Sequence, residues 1–481
     1  MTEHGSTAIF PGRGDSALGG RADAARLADA SRPADLAGPG NSEPPPSEPA
    51  PSAARRAASP RELRSAARAS IVPTVLWLNP AWLSFAAAVA LATMGVMAIS
   101  TTDPGGNSTF ATRQLMFLAV GIVVAGLAAV PNPRFWRWVS LPLGLLSIAL
   151  LIFVLLPFIP HSIVRPRNGA RRWISLVVMD FQPSELAKIA FVLMLATYLQ
   201  FRQNYRRFLG LLVPFLIMFV PMGLILVEPD LGTSLIFPVV LFAMLVAAGA
   251  KLLHLISIAG FGTIAASAVV VVCLAAAAQQ PPQYPILEEH QVKRIQGVLN
   301  LGDARYEDSI NYQSTKAMTL VGAGGFDGVG EENSRVLLQF NRLPEDHNDM
   351  IFAVIVNRWG FLGGLTLLGL YLLYVVGLVM VAAVTVNPFG RLVCVGFCSI
   401  LLAQVIVNVG MTIGLLPITG MTLPFVSYGG SSLVALFFMT GIALGIALRP
   451  PEFLSRRSFE FDPKREPPHR FERLTTLRGR S

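Results

Sequence analysis

About ten apolar blocks, most of them near the length needed to cross a bilayer, limit what this 481-residue chain can fold into. Ala81 to Ser100, Leu115 to Val130 and Leu141 to Ile159 are nearly free of charge. Each approaches the roughly 20 residues that a spanning helix requires. Further blocks follow at 184–200, 209–227, 231–250, 252–278, 361–386, 392–417 and 431–448. Only 14% of the residues are charged, against about 25% in soluble domains. Lipid therefore replaces water around much of this surface. The expected fold is an all-α polytopic membrane protein of about ten transmembrane helices with one long extracytoplasmic loop.

Charge placement sets the expected orientation. The net charge is +9, and its cations flank the spans. Arg55, Arg56, Arg61, Arg64 and Arg68 precede the first block, and Arg449, Arg456, Arg457, Lys464 and Arg465 follow the last. Arg134, Arg137, Arg202, Arg206, Arg207, Lys251 and Arg391 fall on that same side when the helices alternate. The positive-inside rule then puts both termini in the cytoplasm. Basic residues so arranged, without an aromatic-basic module, speak against nucleic-acid binding. Three organisational units result: a tail over 1–75, rich in Ala, Pro, Arg and Ser and too poor in core formers to fold; a membrane domain over 78–449; and a basic tail over 450–481. With no cleavable leader evident, the first span serves as the insertion signal. Cys273, Cys394 and Cys398 lie inside apolar blocks, with neither a disulfide framework nor zinc-type spacing.

Two loops on the outer side break the usual charge rule. The first, about 160–182, carries Arg165, Arg167, Arg171 and Arg172; the second, about 279–349, carries Lys293, Arg294, Arg305, Lys316, Arg335 and Arg342. Cations in a short translocated loop point to an anionic partner at the outer membrane surface. Arg171 and Arg172 offer planar donor forks suited to phosphate, and Trp173 suits the membrane interface. Immediately after, QPSELAK opens a span. Ser184 and Glu185 fit a helix start, whereas Lys188, one turn deeper, costs roughly 2.5–3.5 kcal/mol in hydrocarbon unless it is paired. Glu185 and Lys188 are three apart and share a face, which suggests an ion pair beside a polar cavity. In VEPDLGTS, Asp230 fits a helix cap, and Glu228 is the residue to point into a polar cleft.

The densest chemistry is in RLPEDHNDM, where Glu345, Asp346, His347 and Asp349 crowd the end of the long loop. Spacing permits two readings. Asn348 or Asp349 caps the helix that follows, or Asp349, adjoining the apolar run, is a carboxylate whose desolvation raises its pKa toward that of a general base. Near the end, LPFVSYGGSS permits a tightly turned backbone, in which Tyr428, Ser431 and Ser432 either line a cavity or cap the last helix.

GARRWI, QPSELAK, EPDLGTS, LPEDHND and LPFVSYGGSS, in this order on about ten spans, together resemble the SEDS family of wall-synthesis proteins, which includes RodA, FtsW and their sporulation relatives. The resemblance covers about 78–449. It implies a peptidoglycan glycosyltransferase in the bacterial plasma membrane, acting on lipid II, with a class B penicillin-binding transpeptidase as partner. It places the family's essential aspartate on Asp349 and its paired arginines on Arg171 and Arg172. Glu185 and Lys188 take the family's SELxK positions, and Glu345, His347 and Ser431 join them as substrate-binding candidates. On this reading Asp349 takes the proton of an attacking sugar hydroxyl, and Arg171, Arg172 and Lys188 steady the departing diphosphate, with room for a divalent cation (Mg or Mn). Asn348 stands where the family usually has Thr, and Asn357 and Arg358 stand where it usually has two acids. Trp359-Gly360-Phe361 and Thr419 lean toward the elongation branch. The rival classes are a lipid II flippase or transporter, for which Asp349 has no chemical task, and a noncatalytic scaffold working through its tails.

Overall fold

The computed structural model describes residues 79–102, 109–167, 170–176, 179–202, 204–279, 282, 283, 285, 289–299 and 311–449. Both tails, and Arg305 of the long loop, lie outside the described residues. Among these residues nine helices are long and apolar enough to cross a membrane, and a tenth apolar helix, Leu231–Ala247, has 17 residues. The chain is thus a multi-pass membrane protein.

In chain order the helices begin with α1 (Ala81–Thr102), α2 (Thr109–Ala129) and α3 (Pro133–Leu155). A small antiparallel sheet follows, β1 (Val164–Arg167), β2 (Ala170–Ser175) and β3 (Asp180–Phe181), in the order β1-β2-β3. Next come α4 (Pro183–Phe201), α5 (Leu212–Val227), α6 (Leu231–Ala247) and α7 (Leu252–Ala277). The long loop contributes α8 (Glu289–Leu299), α9 (Tyr312–Gly324) and α10 (Glu331–Asn341). The chain then re-enters the bundle through α11 (Ile351–Val384), α12 (Pro388–Thr412) and α13 (Gly430–Ala447).

Three features depart from the sequence expectation. The first outer loop is a sheet, held by a small core of Val154, Ile159, Val164 and Ile174. The loop before α11 contains helices. And α11 starts ten residues before its apolar block, because Ile351 to Trp359 already turn helically; it breaks at Gly360 (φ 67°, ψ −164°). Only glycine adopts that backbone readily.

Close helix packing comes from small residues. A Cβ on Gly441 would stand 2.2 Å from Ala125 O, and one on Gly445 would stand 2.6 Å from Ala129 O, so this G-x-x-x-G pair lets α13 lie against the backbone of α2. Helix α4 is ringed by α3, α5, α6, α12 and α13 and is buried along most of its length. Helix α7 is the opposite case: of its residues only Leu255 and Cys273 are buried, and Phe261, Ile264 and Val271 are exposed. Such a helix is stable only with lipid as its solvent.

Candidate active site

The turn between α10 and α11 carries the densest group of titratable side chains. Arg342 and Glu345 both adopt left-handed backbone (φ 47° and 53°), and Asn348 N and Met350 N close back on Glu345 O at 3.1 and 3.3 Å. Non-glycine residues in that region are strained, and the neighbours must hold them there. Ser427 Oγ donates to Asn348 O at 2.6 Å, Tyr428 N donates to His347 O at 2.9 Å, and Asn408 Nδ2 donates to Asp349 O at 2.7 Å. The glycine-rich segment before α13 and the end of α12 thereby clamp the acidic turn from behind.

The capping account of this turn fails. Helix α11 has Met350 at its cap position with no side-chain cap bond, and Asn348 spends its amide on the Glu345 carboxylate. Among the described residues Asp349 Oδ1 has no hydrogen-bond partner, and Asp349 is 6% exposed. Burial first, and then the charge of Glu345, raises its carboxyl to about 7, against the pull of its backbone N–H, Arg294 and His347. A carboxylate poised there exchanges a proton near neutrality.

Asp349 forms part of the wall of a cavity of about 1070 Å³. Glu345, His347 and Asn348 join it from the same turn; Arg172 and Trp173 come from β2, Arg294 from α8, and Phe110, Arg113 and Phe117 from the start of α2. The His347 ring stacks on Phe110 at 4.9 Å, and its Nδ1 lies 3.0 Å from Asp346 Oδ1. The cavity thus gathers acidic, cationic and aromatic side chains, with Arg294 near enough to Asp349 to act on its carboxyl.

Not every sequence candidate reaches this cavity. The paired arginines of β2 part company through their hydrogen bonds. Arg172 lines the cavity, with its Nε 2.8 Å from Glu228 O. Arg171 turns back and donates to Ile159 O at 2.8 Å and Pro157 O at 3.3 Å. Glu185 and Lys188 pair at 2.9 Å but are sealed among the helices around α4, outside the cavity lining. Ser431 is buried as well, its Oγ accepting from Gln182 N at 3.1 Å. Glu228 is 2% exposed with both carboxylate oxygens unpartnered, and burial, then Asp230, raises it to about 8, with Arg172 opposing. Asp230 caps α6 through Thr233 N at 3.1 Å.

Arg113 and Arg294 are cavity cations that the sequence reading did not single out as site residues. Arg294 was one of several loop cations, and Arg113 was a lone arginine at a span's outer end, where positive charge is ordinarily avoided. Among the described residues no three His, Cys, Asp or Glu side chains come together as a metal cage. The donors among these residues therefore do not by themselves fit a resident divalent cation.

Comparison with known proteins supports one family. The family of FtsW, RodA and SpoVE, described as "Cell cycle protein", matches residues 75–449. A probable peptidoglycan glycosyltransferase FtsW of Coxiella burnetii is 32% identical over 392 residues, covering 78% of this chain and 97% of that protein. The stage V sporulation protein E of Bacillus subtilis is 33% identical over 349 residues, covering 70% and 87%. Among solved structures, a chain described under "Structural coordination of polymerization and crosslinking by a peptidoglycan synthase complex" matches with a TM-score of 0.60 and 28% identity, covering 76% of this chain and 97% of that one. The rod shape determining protein RodA of Thermus thermophilus matches with a TM-score of 0.53 and 27% identity, covering 76% and 96%. With an acidic turn, cavity-lining arginines and the spans that carry them all inside the matched region, the chain belongs to the FtsW, RodA and SpoVE family of membrane proteins.

Proposed function

We propose that this chain is an inverting peptidoglycan glycosyltransferase that polymerises lipid II at the outer face of the bacterial plasma membrane. One observation carries the reading: a buried carboxylate with a free oxygen, Asp349, set in the wall of a large cavity that also presents three arginines, Arg113, Arg172 and Arg294. The names of the relatives support the same class of activity.

In the reaction, a sugar hydroxyl of one chain attacks the anomeric carbon of a second, lipid-linked sugar. Asp349 takes the hydroxyl proton, the new glycosidic bond forms with inversion, and the bond to the diphosphate breaks. General-base help of this kind is worth about 10²–10⁴ in rate. The leaving diphosphate gathers negative charge, which Arg172, Arg294 and Arg113 of the cavity lining meet. Glu345 and His347 shape the proton's surroundings. Arg171, Glu185, Lys188 and Ser431 hold backbone and helices in place rather than touching substrate.

Both termini face the cytoplasm on this reading, 78–449 is the catalytic domain, and a class B penicillin-binding transpeptidase is the partner that cross-links the product. The lean toward the elongation branch rests on Trp359-Gly360-Phe361 and Thr419, while the curated relatives quoted above carry division and sporulation names.

The test is polymer formation from labelled lipid II by purified wild type and Asp349→Asn, with and without the transpeptidase. Wild type yields glycan strands and Asp349→Asn yields none, although it folds and inserts normally. Normal polymer from Asp349→Asn rejects the mechanism, and no polymer from active-folded wild type favours a flippase or scaffold.

A further inference from the structure

Asn357 and Arg358, where the resemblance leads to the expectation of two acids, lie in the outer part of α11. Arg358 is 9% exposed, deep enough that its charge must be met locally. Nη1 donates to Met97 O at 2.5 Å and to Thr101 Oγ1 at 2.7 Å, both at the end of α1. Nη2 reaches Glu331 Oε2, the first residue of α10, at 2.5 Å. The guanidinium also lies 4.4 Å from the Trp359 ring centre. Glu331 Oε1 takes Arg335 at 3.3 Å, so neither carboxylate oxygen is idle.

The backbone explains why such a tie matters. At Gly360 the helix breaks, and the segment 325–330 fills the gap: Val329 N donates to Asn357 O at 3.0 Å, Gly330 N to Arg358 O at 3.2 Å, and Phe361 N to Gly325 O at 2.9 Å. Asn357 Nδ2 adds a bond to Leu320 O of α9 at 2.9 Å. The outer piece of α11, Ile351 to Trp359, is therefore a short rod joined to the rest of its helix through a break. Asp349 stands just before its outer end. The Arg358–Glu331 contact closes a segment of 27 positions that contains α10, the acidic turn and this rod. Restricting the motion of such a segment removes conformations in which the turn leaves the cavity.

We propose that Arg358 and Glu331 form a latch that positions the loop bearing Asp349 against the cavity, without either residue touching substrate. The proposal rests on Asp349 being the base. It also accounts for the replaced acids: a cation at 358 is tolerated because α10 begins with an acid that faces it.

The test uses the purified full chain with Glu331→Gln as the main variant, because Glu331 is 44% exposed and glutamine removes the charge while keeping an oxygen that accepts from Arg358. Misplacement of a reacting group by about 1 Å costs on the order of 100-fold, so Glu331→Gln should lower kcat by about 10- to 100-fold with KM for lipid II unchanged. Glu331→Asp should keep most of the rate. Amide hydrogen exchange over 345–350 should quicken in Glu331→Gln, and the acid limb of the kcat profile should move to lower pH as water reaches Asp349 between Glu345, His347 and Arg294. Reversing both charges, Glu331→Arg with Arg358→Glu, should recover activity relative to either reversal alone. Wild-type kcat, exchange and pH profile in Glu331→Gln, or strictly additive reversals, overturn the latch. Exchange is read without turnover, so a polymerising Asp349→Asn would remove the catalytic reading while the latch is still judged on its own.

Discussion

Asn408 holds Asp349 by its backbone, not by its carboxylate. The Asn408 amide donates to Asp349 O and to Met421 O, both at 2.7 Å, joining the acidic turn to the segment that leads into α13. The carboxylate is thereby left for chemistry while its position is fixed. Replacing Asn408 with Leu strands two buried carbonyls, each worth about 1–3 kcal/mol. Polymerisation by Asn408→Leu should fall about 10- to 100-fold, with kcat taking the loss and KM for lipid II holding. Steady-state rates over a lipid II titration, with membrane insertion checked in parallel, decide it.

The raised carboxyl of Asp349 sets a pH dependence. With its value pushed to about 7, the fraction able to accept a proton, and with it kcat, rises through neutrality and levels above it. The stability sign is opposite. A carboxyl whose folded value is raised favours the native state in its protonated form; that contribution is complete below its unfolded value and is lost as pH rises through about 7. Asp349→Asn has no such loss. Its melting temperature in detergent should approach wild type at about pH 3.5, below the unfolded value, and exceed it at about pH 8.5. Equal melting at both ends would show that burial does not strain this carboxylate.

Much of the bundle was legible because hydrocarbon imposes a simple code. A run such as Leu141 to Leu155 can satisfy its backbone in lipid only as a helix. Asp349 was legible only in part: an acid abutting an apolar run reads equally as a helix cap or a base, and the resemblance chose between them. What the sequence hid was direction. Adjacent arginines read as one cationic patch until the sheet around Val164 and Ile174 gives Arg171 and Arg172 different hydrogen-bond partners. Lys188 read as cavity-facing because a charge in a span needs a partner, but Glu185 supplies that partner without any cavity. Arg113 and Arg294, about 180 positions apart, line one cavity only because the fold brings the long loop to it, with Arg294 donating to Ile418 O.

The split between the paired arginines is measurable. Arg172→Gln removes a cavity cation and should raise KM for lipid II by about 10-fold or more, since hydrogen bonds to charged groups are worth about 1.5–3 kcal/mol. Arg294→Gln should act in the same direction. Arg171→Gln should leave KM near wild type and instead lower the melting temperature, because its guanidinium anchors the carbonyls of Pro157 and Ile159 beneath the sheet. Equal effects of the two substitutions on KM would mean that both side chains meet substrate.

The Glu185–Lys188 pair gives the sharpest contrast with the sequence reading. At 2.9 Å, with side chains 8% and 4% exposed, it is closed in by the helices around α4. Its role there is to neutralise, not to bind diphosphate. Removing one partner leaves a bare charge in the bundle and costs about 3–5 kcal/mol, whereas replacing both with apolar groups of similar size is often neutral. Lys188→Met alone should therefore reduce folded yield and polymerisation together, and Glu185→Gln alone should do the same more mildly, since glutamine keeps an oxygen that accepts from Lys188. The double substitution Glu185→Leu with Lys188→Met should recover both yield and glycan synthesis. A double variant that folds at wild-type yield yet makes no polymer would return Lys188 to the substrate, through a rearrangement that brings α4 to the cavity wall.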